Sequence, residues 1–106
     1  MTIQKMRQHN YYVYILTNKH KNVLYIGVTN NIVKRLYEHT VEKTKKNSFA
    51  VKYNCEYLVY HEYHISIEGA IARETEIKKW RREKKDKLIN SFNPEWKFLN
   101  EEVMAW

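Results

Sequence analysis

The sequence is short of the residues that break chains or staple them. It has two glycines, one proline and one cysteine in 106 residues. So little glycine and proline excludes a low-complexity or linker-like chain. One cysteine excludes an internal disulfide and, alone, a thiolate metal site. Cys55 lies in a strand-like run, so a buried, reduced thiol is expected, which suits a reducing compartment. No apolar run approaches the length of a membrane span, and the first ten residues lack an apolar signal core. The expectation is a cytoplasmic protein without a membrane partner. Acidic residues are also scarce: twelve stand against nineteen lysines and arginines, a formal net charge of +7. That balance suits a polyanionic partner, although a solvated lysine-rich face gives the same number.

What is present suffices for one domain. Hydrophobic residues make up 43% and aromatics 14%, nine of them tyrosines, which can line a core and still present a hydroxyl. Tyr11–Thr17 and Val23–Thr29 read as strands, joined by the polar Asn18–Asn22, hence an antiparallel hairpin. Gly27 near the end of the second strand signals a close backbone approach or a bend. Thr29-Asn30-Asn31 offers helix caps, and residues 31–42 carry Ile32, Val33, Leu36 and Tyr37 at helical spacing. Residues 43–54 are polar and basic and read as a loop. Cys55–Tyr63 reads as a third strand, alternating around Tyr57, Val59, His61 and Tyr63. Ser66 caps a helix over 67–80. A second amphipathic helix follows a kink near the basic cluster Lys78–Lys87, and Asn93-Pro94 reads as the start of a short closing helix through Trp96, Leu99 and Val103. The fold class expected is α+β: a small three-stranded antiparallel or mixed sheet flanked by helices, in the order β-β-α-β-α-α. The expected organisation is a flexible tail at 1–10, one domain over 11–99 and an extension at 100–106.

Glu74 is the most informative position. It lies three residues after Ile71 and three before Ile77, within the apolar stripe Ile67, Ala70, Ile71, Ile77. A carboxylate there needs a cation, an arginine or a metal ion, because burying it unpaired is costly. A structural ion pair or a stripe edge open to water satisfies the same pattern. Arg35 and His39, four apart, share one side of the first helix. Arginine grips phosphate with two donors, and histidine exchanges a proton near neutral pH. Tyr14 and Tyr25, on paired strands, can face one side of the sheet. His61-Glu62-Tyr63-His64 lacks metal-site spacing, since His61 and His64 point to opposite faces of a strand.

Together these residues resemble the GIY-YIG family, specifically its short, stand-alone bacterial members. The first signature matches Tyr12-Val13-Tyr14 and the second Tyr25-Ile26-Gly27. The family arginine falls at Arg35 and the histidine of this branch at His39. Gly27-Val28-Thr29-Asn30 fits the Gly-x-Thr-Asn pattern, and the metal-binding glutamate matches Glu74 within Ala70-Ile71-Ala72-Arg73-Glu74. Ile77-Lys78-Lys79-Trp80 and Asn93-Pro94-Glu95-Trp96 also look like this branch, so the likeness spans about residues 11–99. Tyr12 and Val13 depart from the glycine and isoleucine of the first signature. Val28 stands where the excision-repair branch carries a lysine. No appended DNA-binding domain follows, so sequence-specific cutting is not expected.

The resemblance implies a metal-dependent endonuclease of low sequence specificity, acting on DNA rather than RNA, in repair or processing, without an obligate protein partner. It implies one divalent ion, Mg2+ or Mn2+, on Glu74. Arg35 would neutralise charge on the phosphate. Tyr14, Tyr25 or His39 would position and deprotonate the attacking water, with Tyr14 nearest to it. Lys45, Lys46, Lys52, Lys78, Lys79, Arg81 and Arg82 would hold the strand by its phosphates. The alternatives are a catalytically weak or inactive nucleic-acid-binding module of the same fold, and a scaffold binding protein through its aromatic surface, including Trp96 and Trp106.

Overall fold

A computed structural model describes residues 10–42 and 48–106, and of Glu42 and Ser48 the backbone alone. Strands β1 (Tyr11–Thr17), β2 (Leu24–Thr29) and β3 (Tyr57–His64) form one antiparallel sheet in the order β2-β1-β3. The β1–β2 hairpin sets Tyr14 opposite Gly27 and Leu16 opposite Tyr25. Its turn is closed by Asn18, whose Oδ1 accepts from Asn22 N at 2.9 Å and Val23 N at 3.2 Å. The turn also needs Lys21 at a positive φ of 61°. The alternation expected in the third strand fails in its first half. The β1–β3 register slips between Ile15 and Leu16, and the bulge leaves Leu58, Val59 and Tyr60 all buried.

Helices cover both faces of the sheet. α1 (Ile32–Tyr37) starts at Asn31, whose side chain accepts from Lys34 N at 3.0 Å, and continues as a wider π-type turn over Glu38–Glu42. α3 (Ile67–Lys78) is capped by Ser66, whose hydroxyl accepts from Gly69 N at 3.0 Å. A break after α3 leads into α4 (Arg82–Phe92). A five-residue helix, α2 (Ser48–Lys52), lies within the stretch expected to be a loop. The expected helix start at Asn93-Pro94 is instead a helix end. Asn93 closes α4, and its buried amide donates to Val59 O at 3.0 Å and Lys97 O at 2.9 Å while its oxygen accepts from Lys97 N at 3.0 Å. The closing helix, α5, begins at Asn100 and runs to Met104. Asn100 joins it to β3 by accepting from Leu58 N at 2.8 Å and donating to Glu56 O at 2.9 Å.

The period-2 pattern of β1 divides the core. Val13 and Ile15 pack with Ile26, Val59, Ala70, Ile77 and Ile89 beneath α3 and α4. Tyr14 and Leu16 pack with Ile32, Leu36, Ala50, Cys55, Leu58 and Val103 beneath α1, α2 and α5. Cys55 is buried, as expected, and burial pushes its thiol up to about 11.

Candidate active site

Four of the side chains singled out from the sequence meet on the α1 face of the hairpin. Tyr14 is fully buried at the centre of β1. Its hydroxyl lies 3.3 Å from His39 Nε2 and accepts from Arg35 Nη1 at 3.5 Å. The Tyr25 side chain lies close enough to the Tyr14 phenol to disfavour its ionisation. The Tyr25 ring centroid is 6.2 Å from that of Tyr14 and 5.6 Å from that of His39. Arg35 and His39 approach from α1 and its π-type extension, the kind of local widening that often marks functional positions. A second bond holds Arg35: its Nε pairs with Glu38 Oε1 at 3.2 Å. Nothing in the sequence pattern had marked Glu38.

Gly27 makes this arrangement possible. A β-carbon there would stand 2.5 Å from both Cζ and Oη of Tyr14. The Tyr14 ring therefore lies in the space a side chain on β2 would fill, a close approach only glycine permits.

The protonation states are fixed by burial. Burial raises the Tyr14 phenol well above the ordinary tyrosine value; Tyr25 adds to this and Arg35 opposes it. Tyr14 is thus a neutral phenol at any working pH. Burial, reinforced by the Arg35 charge and opposed by Glu38, lowers His39 below its ordinary 6.5, so its ring is neutral at pH 7. Since the Tyr14 oxygen accepts from Arg35, its proton is free to point to a neighbouring acceptor, and neutral His39 Nε2 is one.

Glu74 is placed differently. It lies on α3, over the opposite face of the sheet, between buried Ala70 and Ile77. The stripe expected on this helix is narrower than its sequence suggests: Ile67 and Ile71 are exposed. The Glu74 side chain is only 16% exposed, and its Oε2 pairs with Lys78 Nζ at 3.0 Å. α3 packs across both β1 and β2, and β2 is an edge strand of the sheet.

The basic positions also separate. Lys45 and Lys46 lie outside the described residues. Lys79 and Arg81 are exposed. Lys52 is exposed with Nζ 5.4 Å from the centroid of the Tyr53 ring. Lys78 is held by Glu74. Arg82 fastens α4 to the hairpin turn, donating to Asn22 O at 3.1 Å and Lys21 O at 3.0 Å, and pairs with Asp86 at 2.7 Å. Beside Tyr25 stand two rings not marked from the sequence, Phe49 and Tyr53. Their four-residue spacing inside a basic stretch was the available signal. No helix is long and apolar enough to cross a membrane among the described residues.

A family model described as the GIY-YIG catalytic domain matches residues 10–88. A UPF0213 protein of Bacillus pumilus (strain SAFR-032) is 36% identical over 90 residues, covering 85% of this chain and 89% of its own. Another, from Syntrophus aciditrophicus (strain SB), is 43% identical over 88 residues, covering 79% of this chain and 93% of its own. The solution NMR structure of a UPF0213 protein from Bacillus halodurans is similar in fold, with a TM-score of 0.51 and 28% identity, over 82% of this chain and 89% of that one.

Proposed function

Because the chain belongs to the GIY-YIG catalytic-domain family, whose function is of the nuclease type on nucleic acid, we propose that it is a divalent-metal-dependent endonuclease, acting on DNA with little sequence preference. The observation that carries this reading is the Arg35–Tyr14–His39 chain bonded over Gly27. A buried phenol, a neutral imidazole and a guanidinium gathered at one point serve proton handling beside a phosphate better than they serve packing.

Burial favours the opposite order of the two tyrosines from the one expected from the sequence. Tyr14 is sealed in, whereas Tyr25 is only half-buried. In the proposed mechanism the Tyr25 hydroxyl therefore faces the attacking water. The water gives its proton to Tyr25 Oη as Tyr25 passes its own to Tyr14 Oη, and Tyr14 passes its own to His39 Nε2. The water oxygen forms the new bond to phosphorus, the ester P–O bond breaks, and the leaving oxygen takes a proton from solvent. Arg35 neutralises charge on the phosphate oxygens.

Glu74 is the residue that would hold the metal. A magnesium-like ion takes one or two carboxylates and fills its other positions with water and substrate phosphate. Glu74 supplies one carboxylate, and the described residues contain no group of three His, Cys, Asp or Glu that would build a closed cage. The donor set fits an ion shared with substrate. When bound, such an ion supplies Lewis acidity at the scissile phosphate.

The Glu74–Lys78 pair favours one second reading, a module that binds nucleic acid without cutting it, since the carboxylate already has a cation. Labelled single-stranded, branched and duplex DNA incubated with magnesium or manganese separates the two. Cleavage lost in Glu74→Ala and Arg35→Ala supports the enzyme. Wild type indistinguishable from both variants on every substrate removes it.

A further inference from the structure

The tetrad does not end at Tyr25. The Phe49 ring stacks on Tyr25, with centroids 6.3 Å apart and planes 29° off parallel. Tyr53 continues the row, 4.8 Å from Phe49. Lys52 Nζ stands 5.4 Å from the Tyr53 ring. Phe49 is 46% exposed and Tyr53 41% exposed. The five-residue helix that carries Phe49 has one buried residue among those described, Ala50. A helix that short does not sustain itself; it is held by Ala50 in the core and by Cys55 N donating to Ala50 O at 2.9 Å. The fold thus anchors a short helix and leaves two aromatic side chains partly in water, in a row that leads away from Tyr25.

Resting on the nuclease reading above, we infer that Phe49 and Tyr53 form a stacking platform for unpaired bases next to the scissile phosphate, so that the substrate is single-stranded at the point of cutting. Aromatic rings alternating with cations are how sequence-neutral single-strand sites hold a strand: each ring takes a base face, and the cations follow the phosphates. Lys52 supplies the adjacent cation, and the net charge of +7 complements a polyanion. In a duplex the base faces are hidden between their neighbours, and a ring on this surface would meet only backbone. A row of exposed rings continuous with Tyr25 therefore selects unpaired nucleotides by access rather than by hydrogen-bond readout.

The test is binding in EDTA, with fluorescence anisotropy on four labelled 12-mers: oligo-dT, oligo-U, a duplex, and an abasic strand that keeps its phosphates. The full chain is used as wild type, Phe49→Ala, Tyr53→Ser and Phe49→Trp, with circular dichroism confirming the fold of each. Wild type should hold oligo-dT or oligo-U at least about fivefold, and up to about a hundredfold, more tightly than the abasic strand or the duplex. Phe49→Ala and Tyr53→Ser should erase that preference while leaving salt-sensitive binding to all four, and Phe49→Trp should keep it. Equal affinity for abasic and normal strands overturns the platform and leaves the exposed rings to a protein partner. A preference untouched by Phe49→Ala and Tyr53→Ser overturns it as well. Cleavage is scored separately with magnesium: base-dependent binding without cleavage sinks the nuclease reading and leaves the platform standing, whereas cleavage without base-dependent binding does the reverse.

Discussion

Replacing Gly27 by alanine should cost this domain both stability and activity through a single overlap. The added β-carbon would sit 2.5 Å from Cζ and Oη of Tyr14 and 2.9 Å from Cε2. Carbon atoms in contact prefer about 3.5–4 Å, so the ring must retreat by about 1 Å. It has nowhere free to go: Tyr14 is fully buried and packed among Leu36, Leu58 and Val103. Overpacking of this kind costs about 1–3 kcal/mol, which at roughly 4–8 °C per kcal/mol for a domain near this size lowers Tm by about 4–24 °C. The same retreat carries the hydroxyl away from His39 Nε2, already at 3.3 Å, and from Arg35 at 3.5 Å. Thermal melts in two backgrounds isolate the overlap. Tyr14→Leu removes the three colliding atoms, so Gly27→Ala should cost at least about 1 kcal/mol less there than in wild type, a coupling expected of residues in contact. An equal Tm loss in both backgrounds, or a loss under about 2 °C in wild type, would refute the placement of the ring over Gly27.

Arg35→Ala should lower kcat by about 10²–10³, the usual effect of losing one donor to a developing charge, with little change in Tm. Its ion pair with Glu38 is 39% and 33% exposed and so of little stabilising value; an unchanged rate in a cleavage assay counts against its role. Acid should destabilise the fold in two stages. His39 and His61 are both held below 6.5, each chiefly by burial, so the unfolded chain takes up protons first and stability falls as pH drops below about 6.5. Burial pushes Glu62 up, but bonds from Arg73, Tyr60 and His64 outweigh it and hold its carboxyl low, adding a loss below about 4.5. A Tm flat from pH 7 to pH 5 would contradict the first stage. Asn93→Ala strands the partners of three bonds at a buried helix end and should cost about 2–4 kcal/mol in urea unfolding; a midpoint within error of wild type would show that those bonds carry no weight.

Much of this architecture was legible because local signals agreed with one another. Asn31, one of three cap candidates before the first helix, and Ser66 cap their helices, and the hairpin forms where aromatic and β-branched runs flank a polar break. Spacing also put Arg35 beside His39. Three features were not legible, each because a long-range contact decides it. The bulge in β3 breaks an alternation that looked regular, since register belongs to the pair of strands and not to one. Asn93 ends a helix because its amide finds Val59 O, 34 positions away in sequence. Ile67 and Ile71 looked like part of the buried face of α3, yet the sheet covers only the narrower line through Ala70 and Ile77. The proposed site shows the same division. Tyr14 and Tyr25 were recognisable as candidates for one face, but their order relative to water depends on burial, which no spacing encodes.

The placement of Glu74 behind the sheet bears on how so small a domain could work. On the proposed reading a phosphodiester must meet both Arg35 and an ion held by Glu74, each aimed at the charge that develops on its oxygens. The two groups come from layers fixed independently. α1 is seated by Ile32 and Leu36 on one face. On the other, Arg73 of α3 donates to Glu62 of β3 at 2.9 Å, where Glu62 is also bonded by Tyr60 and by His64. The spacer between the layers is the hairpin itself, with β2 at its open edge. An exposed edge strand is ordinarily a hazard, a template for unwanted pairing. On the proposed reading, a strand of nucleic acid laid across that edge would touch both layers. Gly27 lies in β2, so the residue that admits the Tyr14 ring also keeps the partition between the layers thin. On that reading Arg35 from one face and Glu74 from the other would flank a phosphate laid across this edge, beside a position that carries no side chain.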